Sequence, residues 1–189
     1  MSEVRLRPAT VADQPLLERW DEDEDVTSSS GNDHLDTEGI YENGYWTHEL
    51  AIQSDVYEYF IAEIDEGDAW RPIGAVQIID PHREPTHYWG EIEPNLRAID
   101  IWLGEPGDRG KGLGDKVMTA AIERCFASLE VTAIIIDPLN SNTRACKFYQ
   151  RIGFAPTHRQ TFGDDDCLVH KITRAEWRAQ TQNIKNQGD

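Results

Sequence analysis

A glycine-rich turn, Arg109-Gly-Lys-Gly-Leu-Gly114, is the segment that most restricts how this chain can fold. It follows an apolar run that predicts a strand over 97–103, and it opens a run that predicts a helix. Glycines let a backbone come close to a ligand, and the first N–H groups of a helix have no helical partners. The segment therefore predicts a concavity for a pyrophosphate, to which Arg109 and Lys111 add positive charge. A purely structural turn is the alternative.

The turn fits neither of the two common phosphate-binding motifs. No G-x-x-x-x-G-K-[ST] sequence occurs, which excludes a P-loop. Three predicted strands precede the turn, at 57–64, 73–80 and 97–103. Successive strands joined by short turns indicate antiparallel pairing, which argues against the parallel unit of a Rossmann fingerprint.

The remaining elements alternate between strands and helices. The sequence predicts a strand at Val4–Pro8, a helix at Ala12–Trp20, an acidic loop at Asp21–Asp33 and a helix at Tyr45–Gln53. After the turn, apolar residues at 113, 117, 121, 125 and 129 form one helical stripe, and Val131–Ile136 reads as a buried strand. Asn140 or Ser141 is expected to cap a helix through Arg151 that Gly153 ends. Two closing strands follow, from Phe154 and over Asp166–Ile172.

Composition excludes several classes of protein. The 189 residues favour one domain, and no apolar stretch approaches the ~18 residues of a membrane span. The N-terminus lacks the apolar region of a signal peptide, so we expect a cytoplasmic protein. A net charge of −17 opposes binding to nucleic acid. The three cysteines (Cys125, Cys146 and Cys167) are expected to be buried thiols, and the histidine spacing predicts no metal site.

The charge is distributed unevenly along the chain. Residues 18–68 hold seventeen acids and one base, whereas residues 109–160 hold eight bases and four acids. This split suits a protein that binds an anionic cofactor and a cationic substrate. A solvated acidic surface or adaptation to salt is the alternative, and only five of the eighteen bases are lysine, which favours salt adaptation.

Two linked motifs resemble those of the GNAT family, the acetyl-CoA-dependent N-acetyltransferases. Arg109, Gly112 and Gly114 match the family pattern [QR]-x-x-G-x-[GA]. The run IIIDPLNSNTRACKFYQRIGF, which ends at Phe154, matches the strand, Asn-rich helix start, tyrosine and Gly-Phe that follow it in the family. The resemblance is strong over residues 97–154 and looser in the order of the flanking elements.

The resemblance implies an α/β (α+β) architecture of the GNAT type. A mixed central sheet of about six or seven strands would be splayed between the fourth and fifth strands, with helices on both faces. A single domain, 1–189, would contain an acceptor-binding half (1–95) and an acetyl-CoA-binding half (96–175). The polar tail over 180–189 is expected to fray.

The resemblance also implies where acetyl-CoA binds. Its pantetheine amides would pair with strand edges at Ile101–Leu103 and Ile135–Asp137, and a backbone N–H near Trp102 or Leu103 would polarise the thioester carbonyl. The cofactor-binding residues implied are Ile101, Trp102, Leu103, Arg109, Gly110, Lys111, Gly112, Leu113, Gly114, Asp115, Asn142 and Ala145. For Asn142, the alternative is a helix cap.

Two residues are candidates for the proton transfers. Tyr149 matches the family's usual general acid, which protonates the departing thiolate of coenzyme A; packing against the sheet is the alternative. An amine with a pKa near ~10 is protonated at pH 7, so a base must take its proton. Asp100 is the leading candidate because it interrupts an otherwise apolar strand. A structural carboxylate bonded to the loop around Asn95 is the alternative.

The run RAIDIWLGEPGDRGKGLGDKV resembles one branch of the family, which holds aminoglycoside 6′-N-acetyltransferases and acyltransferases of siderophore hydroxylysine. The resemblance implies that the acceptor is bound by Trp89, Glu91, Glu93, Asp100 and Asp137. Trp46, Tyr57 and Tyr59 would stack on sugar rings or else belong to the core. The chain departs from the aminoglycoside enzymes at Ile101-Trp102, where those enzymes have a polar pair.

The leading hypothesis is an enzyme that acetylates a primary amine of a cationic small molecule, with an aminoglycoside 6′-amine as first candidate. The alternatives are acylation of a hydroxylysine-type siderophore precursor or of a protein amine, and a CoA-binding regulatory domain without turnover. No nucleic acid or membrane partner is expected. A monomer and a homodimer are both left open.

Overall fold

The structure, a computed structural model, describes residues 3–23 and 45–187, with the side chains of 184–187 left aside. From position 24 onward, the acidic loop predicted at Asp21–Asp33 lies outside the described residues.

Seven strands and five α-helices form in the described part of the chain. The strands are β1 (Val4–Pro8), β2 (Tyr57–Asp65), β3 (Trp70–Ile79), β4 (Leu96–Leu103), β5 (Ala133–Ile136), β6 (Ala155–Phe162) and β7 (Asp165–Thr173). The helices are α1 (Gln14–Asp21), α2 (Tyr45–Ala51), α3 (Leu113–Ala127), α4 (Thr143–Ile152) and α5 (Arg174–Gln187). Short 3-10 turns lie at Val11–Asp13 and Pro106–Asp108.

The strands form one mixed sheet in the order β1-β2-β3-β4-β5-β7-β6. The pairs β1–β2, β2–β3, β5–β7 and β6–β7 are antiparallel, and β4–β5 is parallel. The predicted mixed sheet of six or seven strands is confirmed. The parallel pair follows from the crossover through α3, since a parallel connection needs a long return segment.

The described residues form two compact units. The first contains those up to Ile79 together with Ile99–Ala121. Its core is a cluster of buried side chains: Ala9, Leu17, Trp20, Trp46, Leu50, Tyr59, Ile61 and Ala75. Strands β3 and β4 approach so closely in this unit that a Cβ on Gly74 would lie 2.2 Å from the carbonyl oxygen of Trp102. Only glycine fits at that position, which fixes where the second half of β4 runs.

The second unit contains Asp80–Ala98 and the described residues from Ile122 onward. All four residues of β5 are buried, as are Phe154 and Ile172. The three cysteines lie in this unit and are buried thiols, as predicted.

Helix α4 begins later than predicted. Its N-cap is Asn142, whose Oδ1 accepts a hydrogen bond from the backbone N–H of Ala145 at 3.0 Å. The cap is thus the alternative role given for Asn142, and it takes the place of the expected cap at Asn140 or Ser141. Asn140 instead donates its Nδ2 to Asp166 at 3.1 Å. Gly153 ends the helix as predicted, with φ of 114° in the left-handed region.

Helix α5 (Arg174–Gln187) starts with a capping box. The N–H and Oγ1 of Thr173 each donate to Glu176 Oε2 at 2.7 Å, and Glu176 N–H donates back to Thr173 Oγ1 at 3.3 Å. These bonds also hold the pKa of Glu176 below its ordinary value. The Thr-x-x-Glu spacing is a signal for the start of a helix. Fraying over 180–189 stays a prediction.

Candidate active site

The glycine turn adopts the geometry that anion binding requires. Gly110 and Gly112 both have φ of 75°, and α3 begins at the next residue, Leu113. The left-handed positions alternate with ordinary ones, a pattern that turns backbone N–H groups toward a common point. A Cβ on either glycine would meet no described atom within 4 Å, so the space beside the turn is open. The turn and the first N–H groups of the 15-residue helix α3 can therefore receive an anion.

An ion pair anchors the residue that precedes the turn. The buried carboxylate of Asp108 accepts two hydrogen bonds from Arg71 on β3, at 2.7 and 3.2 Å. Glu66 adds a more exposed bond to the same guanidinium at 2.6 Å. Bidentate pairing of this kind fixes orientation as well as distance. The pair raises the pKa of Arg71 further above its ordinary value, mainly through Asp108.

The side chain of Arg109 is committed to the end of β4. Its Nε donates to the carbonyl of Leu103 at 3.2 Å, and its Nη2 donates to that of Gly104 at 3.3 Å. Nη2 also pairs with Asp23 at 3.0 Å. In this conformation Arg109 stabilises the corner between strand and turn, whereas the sequence assigned its charge to the pyrophosphate. Lys111 is exposed within the turn itself.

Strand β4 pairs with β5 over a short stretch only. Residues 96–98 of β4 pair with residues 133–135 of β5. Strand β4 continues for five further residues, to Leu103. Backbone N–H and C=O groups along that extension are the edge that the sequence assigned to pantetheine.

Trp102 lies on this extension with an unusual feature. Its indole Nε1 is buried and has no hydrogen-bond partner among the described residues. The ring packs at 5.9 Å from that of Trp46, at an interplanar angle of 35°. A buried donor without a partner costs free energy, and the ring of Trp102 packs against the core of the first unit.

Tyr149 projects from α4 into an aromatic environment. Its ring centroid lies 5.1 Å from that of Phe148, 6.1 Å from that of Phe154 and 6.4 Å from that of His170. The side chain is half-buried, as both its predicted role and its alternative require.

His170 is a titratable group that the sequence did not single out. It is fully buried on β7, and its Nδ1 lies 2.7 Å from the carbonyl of Leu168. Its Nε2 lies 3.3 Å from Nε2 of Gln150. The neutral ring with hydrogen on Nδ1 satisfies both contacts. Burial lowers the pKa of His170 below its ordinary value.

A loop from Asp80 to Asn95 carries three of the predicted acceptor-binding residues. Buried carboxylates hold its first half: Asp80 accepts from Arg97 Nη1 at 3.2 Å, and Glu84 accepts from both the N–H and the Oγ1 of Thr86. Glu84 also accepts the backbone N–H of Tyr88. These contacts fix the loop in one conformation, because a buried carboxylate needs such donors.

Tyr88 links this loop to the end of β5. Its hydroxyl donates to Oδ2 of Asp137 at 2.8 Å. Its ring is stacked on Phe162 with centroids 4.4 Å apart and planes 9° apart. The sequence gave no sign of this contact, because the two residues are 49 positions apart.

The predicted acidic segment divides into different roles. Trp89 is buried against Phe162, at 5.1 Å between centroids, so its ring supports the loop. Glu93 pairs with Lys171 at 2.6 Å. Glu91 is exposed.

Asp100 is exposed on β4, whereas the sequence predicted apolar surroundings for it. Trp46 and Tyr59 are core residues, which fits the alternative to sugar stacking. Tyr59 donates to Glu49 Oε2 at 2.5 Å, and burial raises its pKa far above the ordinary value.

The predicted site residues fall into two groups. The first unit brings together the extension of β4, Asp100, and the glycine turn as far as Asp115. The second unit holds Asn142, Ala145, Tyr149 and the acceptor residues Trp89, Glu91, Glu93 and Asp137. The sequence missed the anchors Arg71, Glu84 and Tyr88. No described helix is long and apolar enough to cross a membrane, and no described cluster of three His, Cys, Asp or Glu side chains could hold a metal ion.

Comparison with known proteins gives a consistent result. The model of the family described as acetyltransferase (GNAT) domain matches residues 9–162. The aminoglycoside N(6′)-acetyltransferase type 1 of Klebsiella pneumoniae is 36% identical over 104 residues, which are 54% of this chain and 52% of that protein. A kanamycin resistance protein of Rhizobium radiobacter is 42% identical over 92 residues, 48% of this chain and 85% of that protein. The match thus spans about half the length of the Klebsiella relative.

Solved structures extend the likeness to nearly the whole chain. The aminoglycoside acetyltransferase AAC(6′)-Ib in complex with coenzyme A superposes with a TM-score of 0.79 at 28% identity, covering 95% of this chain and 99% of that one. The same enzyme with coenzyme A and kanamycin gives a TM-score of 0.77 at 27% identity, with the same coverage.

Proposed function

The chain belongs to the family of acetyltransferase (GNAT) domains, and from that membership we propose that it transfers an acetyl group from acetyl-CoA to a primary amine of a cationic small molecule. The first candidate acceptor is the 6′-amine of an aminoglycoside. The observation that carries the proposal is the pair of left-handed glycines directly before α3, beside open space. The similarity to aminoglycoside acetyltransferases supports the choice of acceptor.

The residues present fit the cofactor. When bound, acetyl-CoA supplies the acetyl group as an activated thioester. The backbone N–H groups of Gly110–Gly114 and the charge of Lys111 would bind its pyrophosphate. The open space beside both glycines and their left-handed backbone conformation are the structural support for this assignment. Asp115 lies in the first turn of α3, where the helix dipole stabilises a carboxylate.

The extension of β4 would orient the pantetheine arm. Backbone groups of Ile101, Trp102 and Leu103 offer the ladder-type hydrogen bonds that an amide-containing chain can complete. In the structure, Asn142 Oδ1 already caps α4 on the Ala145 N–H. We therefore propose that only the Nδ2 of Asn142 binds the cofactor. The small side chain of Ala145 would let the cofactor approach the helix closely.

Two side chains would move the protons. Asp100 would accept the proton of the attacking amine, directly or through water, because a protonated amine has no lone pair to attack with. Tyr149 would donate the proton of its Oη to the sulfur that leaves. Each transfer lowers the barrier by avoiding an unstable charged species.

The acceptor would be held by negative charge. Asp137, Glu91 and Glu93 offer carboxylates to the several ammonium groups of such a substrate. Lys171 already neutralises part of the charge of Glu93, so we expect Glu91 and Asp137 to contribute more. Trp89 would act through the loop that it packs.

A thiol-release assay tests the proposal. The full chain is incubated with acetyl-CoA and, separately, kanamycin, tobramycin or a lysine-containing peptide. Release of coenzyme A with the aminoglycosides is the expected result. Release with the peptide alone would contradict the acceptor, and tight binding of coenzyme A without any release would indicate a regulatory domain.

Asp100→Asn provides the sharper version of this assay. We expect roughly 100-fold or greater loss of kcat with kanamycin, while calorimetry shows unchanged binding of coenzyme A. Asp68→Asn, which alters an exposed aspartate in the same compact unit, serves as the matched control and should behave as the parent chain. Loss of coenzyme A binding in the Asp100 variant would indicate a structural residue instead.

A further inference from the structure

We infer that Tyr88 is a positioning residue for the acceptor: its hydroxyl orients the Asp137 carboxylate that receives an ammonium group. The inference rests on the proposed function and adds a determinant of substrate affinity to it. All the contacts that carry it lie within the second compact unit.

The backbone at Tyr88 is fixed by a hydrogen bond to a buried carboxylate. Glu84 is only 3% exposed, and its carboxylate accepts the N–H of Tyr88 as well as the N–H of Thr86 at 2.8 Å. His87, the preceding residue, has φ of 53°, a left-handed conformation that is uncommon for a residue with a side chain. Such a conformation persists only where its surroundings impose it.

The ring of Tyr88 is held as firmly as its backbone. Phe162 stacks on one face at 4.4 Å, and Trp89 meets the ring edge-to-face at 5.6 Å. Phe162 and Trp89 are themselves buried. The hydroxyl of Tyr88 is therefore delivered to one fixed place, at Oδ2 of Asp137.

Stability does not explain this arrangement. Tyr88 is 42% exposed and its bond to Asp137 is open to solvent, where a single hydrogen bond contributes little to folding. The backbone before Tyr88 nevertheless includes a left-handed residue, His87, and the buried carboxylate of Glu84, both of which are unfavourable by themselves. A role in binding explains why they are present, since binding an ammonium group requires a carboxylate of fixed orientation.

The chemistry suits a polyammonium acceptor. An ionised carboxylate has about four acceptor positions, so one phenol hydrogen bond leaves capacity for an ammonium group. The bond from Tyr88 fixes the carboxylate plane and thereby removes the rotational entropy that binding would otherwise cost.

Tyr88→Phe tests the inference because it removes the hydroxyl and keeps the aromatic stack. We expect the KM for kanamycin to rise roughly 5- to 30-fold, with the KM for acetyl-CoA and the melting temperature unchanged. In an Asp137→Asn background the same substitution should have no further effect. Thr157→Val is the control, because Thr157 is also an exposed residue and its hydroxyl donates to the backbone carbonyl of Val169 at 3.0 Å in the same unit.

The outcomes separate this inference from the proposed function. If the parent chain acetylates kanamycin and Tyr88→Phe behaves identically, the inference is wrong and the function stands. If both KM values and the melting temperature change together, Tyr88 is merely structural and the inference is again wrong. If the parent chain has no turnover, calorimetric titration of kanamycin decides: weaker binding to the variant supports the inference, and equal or absent binding overturns it.

Discussion

Tyr149 and His170 show how two neighbouring side chains acquire different roles from their surroundings. Tyr149 is half-buried on α4, and its ring lies near three other rings without being enclosed by them. His170 is fully buried and accepts a hydrogen bond from Gln150 only in its neutral form. Tyr149 is the residue proposed to give a proton to the leaving sulfur, whereas burial favours the neutral form of His170.

Tyr149→Phe keeps the ring contacts and removes the proposed acid. We expect kcat with kanamycin to fall roughly 100-fold or more, while the KM for acetyl-CoA changes little. Steady-state kinetics on the full chain measures both. In single-turnover experiments product release does not affect the observed rate. An unchanged single-turnover rate in the variant would exclude Tyr149 as the proton donor.

His170 gives stability a dependence on pH. Its pKa is lowered in the folded chain, so below pH ~6.5 the unfolded chain binds a proton that the folded chain does not. The contribution of His170 to the free energy of unfolding should therefore be fully present above pH ~6.5. It should be lost as the pH falls toward the pKa of His170 in the folded chain. Urea titrations across this range measure the slope. The substitution His170→Gln should reduce the slope of the unfolding free energy against pH. An equal slope in the variant would show that other groups cause the pH dependence.

At the scale of elements, the glycine turn depends on contacts that lie outside it. Asp108 and Arg71 fix the residue before the turn, and Arg109 donates to the carbonyls of Leu103, the last residue of β4, and of Gly104, which follows it. The binding geometry is thus formed before any ligand arrives. Preorganisation of this kind increases affinity because less entropy is lost on binding.

Asp108→Asn tests the anchor. Asp108 is buried but its partner Arg71 is 37% exposed, so loss of the charge should cost about 1 kcal/mol of stability and raise the KM for acetyl-CoA several-fold, with the KM for kanamycin unchanged. Glu66→Gln is the matched control because its side chain is 48% exposed, against 7% for Asp108, and exposed pairs contribute about 0–1 kcal/mol. Equal effects of the two substitutions would contradict the anchoring role.

Most of the fold could be predicted from local patterns in the sequence. The turn, the helix stripe from 113 and the apolar strand before Asp137 were predictable because each has a short-range signature. The sequence left the cap of α4 open because three neighbouring side chains (Asn140, Ser141 and Asn142) can all cap, and only the packed structure selects Asn142. The bond from Tyr88 to Asp137 was beyond prediction, since no local pattern encodes a contact across 49 positions.

At the scale of the whole molecule, the net charge of −17 acts on both folding and binding. Like charges on one chain repel each other and destabilise the compact state. The same charges would attract the polycationic acceptor that we propose. Salt weakens both effects, because the screening length falls from about 10 Å at 0.1 M to about 3 Å at 1 M.

A salt titration should therefore move two quantities in opposite directions. We expect the melting temperature to rise between roughly 0.05 and 1 M NaCl, while kcat/KM for kanamycin falls several-fold over the same range. A rise in melting temperature with constant kcat/KM would mean that the acidity serves salt adaptation alone.

The most direct measurement is the identification of the product. Kanamycin is incubated with acetyl-CoA and the full chain, and the product is analysed by mass spectrometry and NMR. The proposed function predicts kanamycin carrying one acetyl group on its 6′-nitrogen, formed at a rate that Asp100→Asn abolishes. Unmodified kanamycin, or acetyl on another amine, would contradict it.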